Sequence, residues 1–205
     1  MTLEHMASIL GHDLDAMTVT VQPGLHVKDL IAHVDELGWS LPNISAIDTQ
    51  QVGGVLATST HGGGVRNPLI PQDWIHSCRL VDGRGDVHEL KAGRDEDVLR
   101  GVRGGLGTLG VISEVTIQCE PLFHLGVRCV TLSEDELCSE FGRLNYAHDF
   151  VTGLWLPHAE RAAVYLVDKV VEGCPAHAAA VASAPVDRRA LDAWQAGLLE
   201  RHAVR

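Results

Sequence analysis

The feature that most restricts this 205-residue chain is a run with almost no large side chains. In Gly53-Gly54-Val55-Leu56-Ala57-Thr58-Ser59-Thr60-His61-Gly62-Gly63-Gly64, only Leu56 and His61 are neither small nor β-branched. Judged by residue size, this run fills no core. It lets the main chain come close to another object and aim N–H groups at it, and Thr58, Ser59 and Thr60 add hydroxyl donors. A second bend, Gly104-Gly105-Leu106-Gly107-Thr108-Leu109-Gly110, leads into a β-branched stretch. Neither bend contains Lys or Arg. Amides and hydroxyls without cations suit a diphosphate, because clustered N–H groups carry partial positive charge themselves. The competing reading makes both bends simple tight turns, and residue size does not separate the two. The second bend precedes a strand rather than opening a helix, so it does not fit the G-x-G-x-x-G fingerprint, and it lacks the P-loop lysine. His61 is open to three roles: base, ligand, or a residue whose backbone matters more than its ring. No Ser-His-Asp or Cys-His arrangement can be read from the order of residues, so no catalytic residue is assigned.

Around these bends the chain alternates strand and helix signals. Asp15–Val21 is expected to be a strand, stopped by Pro23-Gly24. Val27, Leu30, Ile31, Val34 and Leu37 keep helical spacing, and Gly38 follows where a left-handed cap is needed. Ile75–Val81 and Asp86–Leu90 read as a hairpin turning at Asp82-Gly83, and Asp95-Glu96-Asp97 opens a short helix. Val111–Cys119 is a strand, and Pro121 reads as a boundary. Beyond it, His124–Leu132 is extended. Ser133 and Glu136 have capping-box spacing ahead of a Leu137, Phe141, Leu144 stripe. Phe150–Leu156 and Ala162–Val167 are further strands, 176–186 is a loop or loosely held helix, and Leu191–Leu199 is helical. The fold class is α+β, with a second unit starting near residue 121.

Composition narrows the partners. The net charge of −11 repels phosphate backbones and anionic lipid, so no nucleic-acid role is expected. No apolar run approaches the roughly 18 residues of a membrane span. Met1–Met6 carries Glu4 and His5 where a secretion signal would be basic and then apolar, so a cytoplasmic protein is expected. Five cysteines without a C-x-x-C pair read as buried reduced thiols, and the scattered histidines give no metal site.

A series of segments in fixed order carries a resemblance. Thr18-Val19-Thr20-Val21-Gln22-Pro23-Gly24 is followed by Asp29-Leu30, Leu41-Pro42-Asn43, Val52-Gly53-Gly54 and Thr58-Ser59-Thr60-His61-Gly62. Gly107-Thr108-Leu109-Gly110-Val111-Ile112-Ser113-Glu114-Val115-Thr116 completes it. The series resembles the FAD-linked oxidases of the vanillyl-alcohol oxidase superfamily, nearest to the gulonolactone, arabinonolactone and alditol oxidases. The resemblance covers residues 1 to about 120 and weakens beyond. It implies FAD as cofactor and a polyol or sugar-lactone substrate. It also implies the second subdomain of a PCMH-type FAD-binding domain (residues 1–120), followed by the start of an antiparallel α+β cap domain (121–205). By the same resemblance Gly53, Gly54, Thr58, Ser59, Thr60, His61 and Gly62 lie along the diphosphate and toward the flavin. Gly110 and Ile112 belong to the bend whose main chain reads the adenine edge, and Ser45 and Ala46 fall near the ribityl chain or ring.

Set against that family, the chain is expected to be truncated at both ends. Leu3–Met6 would then be a strand from the end of a missing first subdomain, and the late cap residues that handle substrate would be absent. The expected function is that of a fragment of an FAD-dependent oxidoreductase acting on a CH–OH group, with oxygen or another acceptor. A non-catalytic remnant and one piece of a split enzyme are the rival readings. A surface left bare by the missing subdomain would promote association, and the isolated chain would bind FAD weakly or not at all.

Overall fold

A computed structural model describes residues 3–66, 74–155 and 160–170. Two compact units result, one of residues 1–63 and 67–122, the other of residues 64–66 and 123–205. The Ala-rich segment 176–186, the helix expected over Leu191–Leu199 and Cys174 lie outside the described residues.

In the first unit an antiparallel sheet runs in the order β1 (Ile9–Asp13), β2 (Thr18–Val21), β6 (Val111–Gln118), β4 (Ile75–Val81), β5 (Val87–Lys91). The period-2 pattern turns Val19, Val21, Cys78, Leu80, Val115 and Ile117 into the core. The opposite side holds Thr20 paired with Thr116 at 3.0 Å, and Arg79 between Glu89 at 2.6 Å and Glu114 at 3.0 Å. Three helices supply the other half of that core: α1 (Val27–Glu36) through Leu30 and Val34, α2 (Val52–Ala57) through Val52, Val55 and Leu56, and α3 (Glu96–Val102) through Leu99 and Val102. Gly38, at φ +73°, ends α1 as its position required. A short pair, β3 (Trp39–Ser40) with β7 (Glu120–Pro121), completes the unit. Burial pushes the Cys78 and Cys119 thiols up to about 11, with Arg103 opposing at Cys78, so both stay protonated at neutral pH.

Three expectations are corrected here. Leu3–Met6 is a turn closed by the Met6 N–H on the Leu3 carbonyl, and the strand lies later, at Ile9–Asp13. The strand expected from Asp15 starts only at Thr18, because the Asp13 carboxylate accepts from the Asp15 and Ala16 amides and bends the chain. The small-residue run does fill a core: Val55 and Leu56 are 8% and 3% exposed, because α2 gathers them on one face with Val52.

In the second unit β10 (Arg161–Val170) lies between β8 (His124–Ser133) and β9 (Phe150–Trp155), antiparallel to both. Helix α4 (Glu134–Ala147) brings Leu137 and Leu144 against Val151, Ala162, Val164 and Leu166. Its expected capping box is formed: the Ser133 hydroxyl accepts from the Glu136 amide, and the Glu136 carboxylate accepts from the Ser133 amide. The Ser133 amide, and the Ser133 hydroxyl donating at 2.9 Å, hold the Glu136 carboxyl below its ordinary value. This contribution to stability is therefore present above the unfolded pKa and lost as pH falls through the folded one. Ser133→Ala is expected to cost this unit about 1 kcal/mol, read as a lower urea midpoint for the unfolding of α4.

Candidate functional site

The two glycine bends meet. Helix α2 begins with the Val52 amide on the Leu25 carbonyl at 2.9 Å and the Gly53 amide on the Pro23 carbonyl at 2.8 Å. Its last carbonyls are covered by the other bend, where the Gly104 amide donates to Leu56 at 2.8 Å and the Leu106 amide to Ala57 at 3.0 Å. Ser59 and Leu106, one on each bend, both take positive φ (53° and 52°), a conformation that L side chains hold only when surrounding contacts enforce it. A Cβ on Gly104 would collide with the Ser59 hydroxyl, so the absence of a side chain there lets the bends interlock.

Beside this junction lies a cavity of about 210 Å³, walled by Gly53 and Ala57 from the first bend and Gly107 to Ile112 from the second. Leu80 and Val102 close it, and among the described residues no charged side chain lines it. Strand β6 matters here. It is paired with β4 along its length, but with β2 only over Val115–Gln118. Among the described residues the main chain from Val111 to Glu114 therefore has no strand partner on its β2 side, and Val111 and Ile112 of this stretch line the cavity. An apolar slot with an open strand edge suits a flat heterocycle, whose faces want burial and whose rim wants hydrogen bonds.

The structure divides the residues singled out in the sequence. Gly53, Gly110 and Ile112 line the larger cavity. Thr60 and His61 line a second, smaller one with Ser45 on the other side of α2. Gly54 is exposed, and a Cβ there would meet nothing within 4 Å. Thr58 and Ser59 sit between, at the end of α2. Gly62 is needed by the fold itself, since a Cβ would strike the Asn43 side chain and the Ile44 carbonyl. The two threonine hydroxyls are not the donors expected. Thr58 Oγ1 donates its proton to the Gly54 carbonyl at 2.8 Å, so at 2.9 Å Thr60 must donate to Thr58. Both oxygens are left showing lone pairs. The His61 Nδ1 lies 2.8 Å from the Gly62 carbonyl, which can only accept, so Nδ1 carries the proton of that bond. Sequence reasoning passed over Pro23, Leu80, Val102 and Leu109 as cavity walls and Trp74 beside His61. Only Leu109, inside the second bend, carried a signal that could have found it.

Residues 1–91 match the family model described as an FAD binding domain. The chain is 33% identical to L-galactono-1,4-lactone dehydrogenase 1 of Oryza sativa over 78% of its own length and 27% of that protein. It is 30% identical to L-gulonolactone oxidase of Mus musculus over 80% of its length and 37% of that protein. A solved structure of alkyldihydroxyacetonephosphate synthase superposes with a TM-score of 0.70 at 17% identity, over 82% of this chain and 37% of that one, which supports the fold. Residues 1–91 thus place the chain among proteins with an FAD binding domain, and the superposition shows the fold alone. Within that class its similarity is to the sugar-lactone dehydrogenases and oxidases, of which it spans roughly a quarter to two-fifths in length.

FAD is the cofactor of such a domain, and the site fits it. The larger cavity offers apolar walls and an open strand edge, and Gly54 leaves the outer surface of α2 bare where a side chain would otherwise stand.

Proposed function

We propose that this chain contributes to an FAD-dependent oxidoreductase acting on the CH–OH group of a sugar lactone or alditol, with oxygen or another electron acceptor. One observation carries the reading: two glycine bends held together by Gly104–Leu56 and Leu106–Ala57 hydrogen bonds border a mainly apolar cavity of about 210 Å³. Residues 1–120 then serve as part of the FAD-binding domain and residues 121–205 as the beginning of the substrate-facing one. When bound, the flavin supplies the electron-accepting chemistry. The chain's own residues bind and orient. Gly107 to Ile112 hold the adenine, Gly53 and Gly54 give the diphosphate room, and Thr58 to Gly62 lead toward the flavin. The substrate class follows from the similarity to lactone oxidoreductases.

Titration of ¹⁵N-labelled chain with FAD and with ADP tests this. Both ligands are expected to move the amides of Gly54 and of Gly107 to Ile112, since both carry adenine and diphosphate. If the flavin is also placed for chemistry, its absorption near 450 nm will bleach when a sugar 1,4-lactone or alditol is added without oxygen. FAD or ADP that moves other amides while those of Gly54 and of Gly107 to Ile112 stay still would reject the reading.

A further inference from the structure

The sheet of the second unit stops at a strand with one side open. β8 pairs with β10 in unbroken register over His124–Ser133, and among the described residues nothing pairs with its other side. Native folds blunt such an edge with charges, a proline or a bulge, because its unpaired N–H and C=O groups template another strand. β8 has no proline and no bulge, and Arg128 is its one Asp, Glu, Lys or Arg. The opposite edge, β9, is six residues long with Gly153 inside it, so it offers fewer hydrogen bonds and a weaker strand.

The core settles which way the β8 side chains point. Val130 and Leu132 turn toward α4 and pack against the Leu144, Val164 and Leu166 cluster. Leu125, Val127, Cys129 and Thr131 therefore stand on the other side of the sheet. Leu125 and Val127 are 52% and 40% exposed there.

Charge selects the partner and the register. The chain carries a net charge of −11, so two copies repel over most of their surface. β8 holds no carboxylate and brings a cation instead, so a second copy can approach along it. When two antiparallel β8 strands join in one sheet, residues that face each other must lie on the same side of it. A two-fold axis at Arg128 would set arginine against arginine. An axis at Cys129 sets Arg128 against Val130, Val127 against Thr131 and Leu125 against Ser133 of the second copy, and no like charges meet.

We propose that β8 is a self-association edge: two copies pair antiparallel about Cys129 and join their three-stranded sheets into one. Leu125–Ser133 on each copy is a short interface beside the roughly 20–30 residues a side of a standard one. The dimer is therefore weak, with a dissociation constant on the order of 100 µM.

Sedimentation velocity of the full chain, from about 5 µM to about 1 mM, is expected to show monomer giving way to dimer. Val127→Lys with Thr131→Lys, at two exposed positions that face each other across the axis, sets lysine against lysine twice. That variant is expected to weaken the dimer at least about tenfold. Val127→Lys with Thr131→Glu sets lysine against glutamate instead and is expected to restore it. A chain that stays monomeric at the highest concentration, as it would with its own residues 171–205 over the edge, overturns the proposal. A dimer that the two lysines leave unchanged overturns it too, since the contact then lies elsewhere. Equal weakening in the lysine–lysine and lysine–glutamate variants overturns the register and the proposal with it. Should either variant fail to fold, cross-linking of the unmodified chain decides. A short bismaleimide is expected to join Cys129 to Cys129 of the second copy, mapped by mass spectrometry, and a dimer without that link overturns the proposal.

Discussion

Gly54→Val is expected to give a chain that folds as before and loses FAD, its dissociation constant rising at least about 100-fold, or about 2.7 kcal/mol. The two halves of that expectation have separate causes. Gly54 lies in α2, is exposed, and has no heavy atom within 4 Å of where a Cβ would stand. The fold therefore has no steric objection to a side chain. Replacing a helical glycine also removes some unfolded-state freedom, so stability should hold or rise by a few tenths of a kcal/mol. A bound diphosphate is the one object on this reading that would occupy the same space. Thermal unfolding and flavin-fluorescence titration measure the halves independently. A well-folded variant with unchanged affinity would remove Gly54 from the cradle. Gly54→Ala, smaller by two methyl groups, should fall between.

Residue order alone revealed much of the fold and less of the site. Helix α1 and the Ser133–Glu136 cap were visible because their signals are local: apolar spacing in one, two side chains three residues apart in the other. Strand β1 was hidden, since Ile9-Leu10-Gly11-His12-Asp13 is an edge strand whose last four residues are exposed, and no alternation marks it. Helix α2 was hidden for the opposite reason. Val52-Gly53-Gly54-Val55-Leu56-Ala57 has poor helix propensity, and the helix stands because Leu25, Pro23 and the second bend satisfy its ends. At the site, a missing Cβ has two possible causes that look identical in sequence. Gly62 and Gly104 make room for this chain's own atoms, whereas Gly54 makes room for nothing the chain contains. Hydroxyl direction is likewise invisible until Thr58 and Thr60 are seen bonded in series.

Gly110→Ala tests the other side of that distinction and should act on stability first. Gly110 has φ +150°, a region that only glycine occupies without strain. An added Cβ would overlap the Val81 carbonyl oxygen and lie 2.9 Å from its carbon and 3.0 Å from the Asp82 Cα. All three neighbours are main chain, at the point where β4 turns into β5. The Asp82 carboxylate pins that turn by accepting from the Arg84 and Asp86 amides at 2.8 and 3.0 Å, so Val81 cannot retreat. The strain can be relieved only by opening the Val81–Val111 end of the β4–β6 ladder, next to Leu80 and Ile112 in the core. The expected cost is about 3 kcal/mol, read as a lower urea midpoint, with amide exchange quickening first at Val81, Val111 and Ile112. FAD binding should weaken as well, because the same stretch walls the larger cavity, but here the loss must track instability. Gly54→Val separates binding from stability and Gly110→Ala couples them. An unchanged midpoint in Gly110→Ala would mean that the second bend can be rebuilt without glycine, leaving ligand contact as the only reason for one at that position.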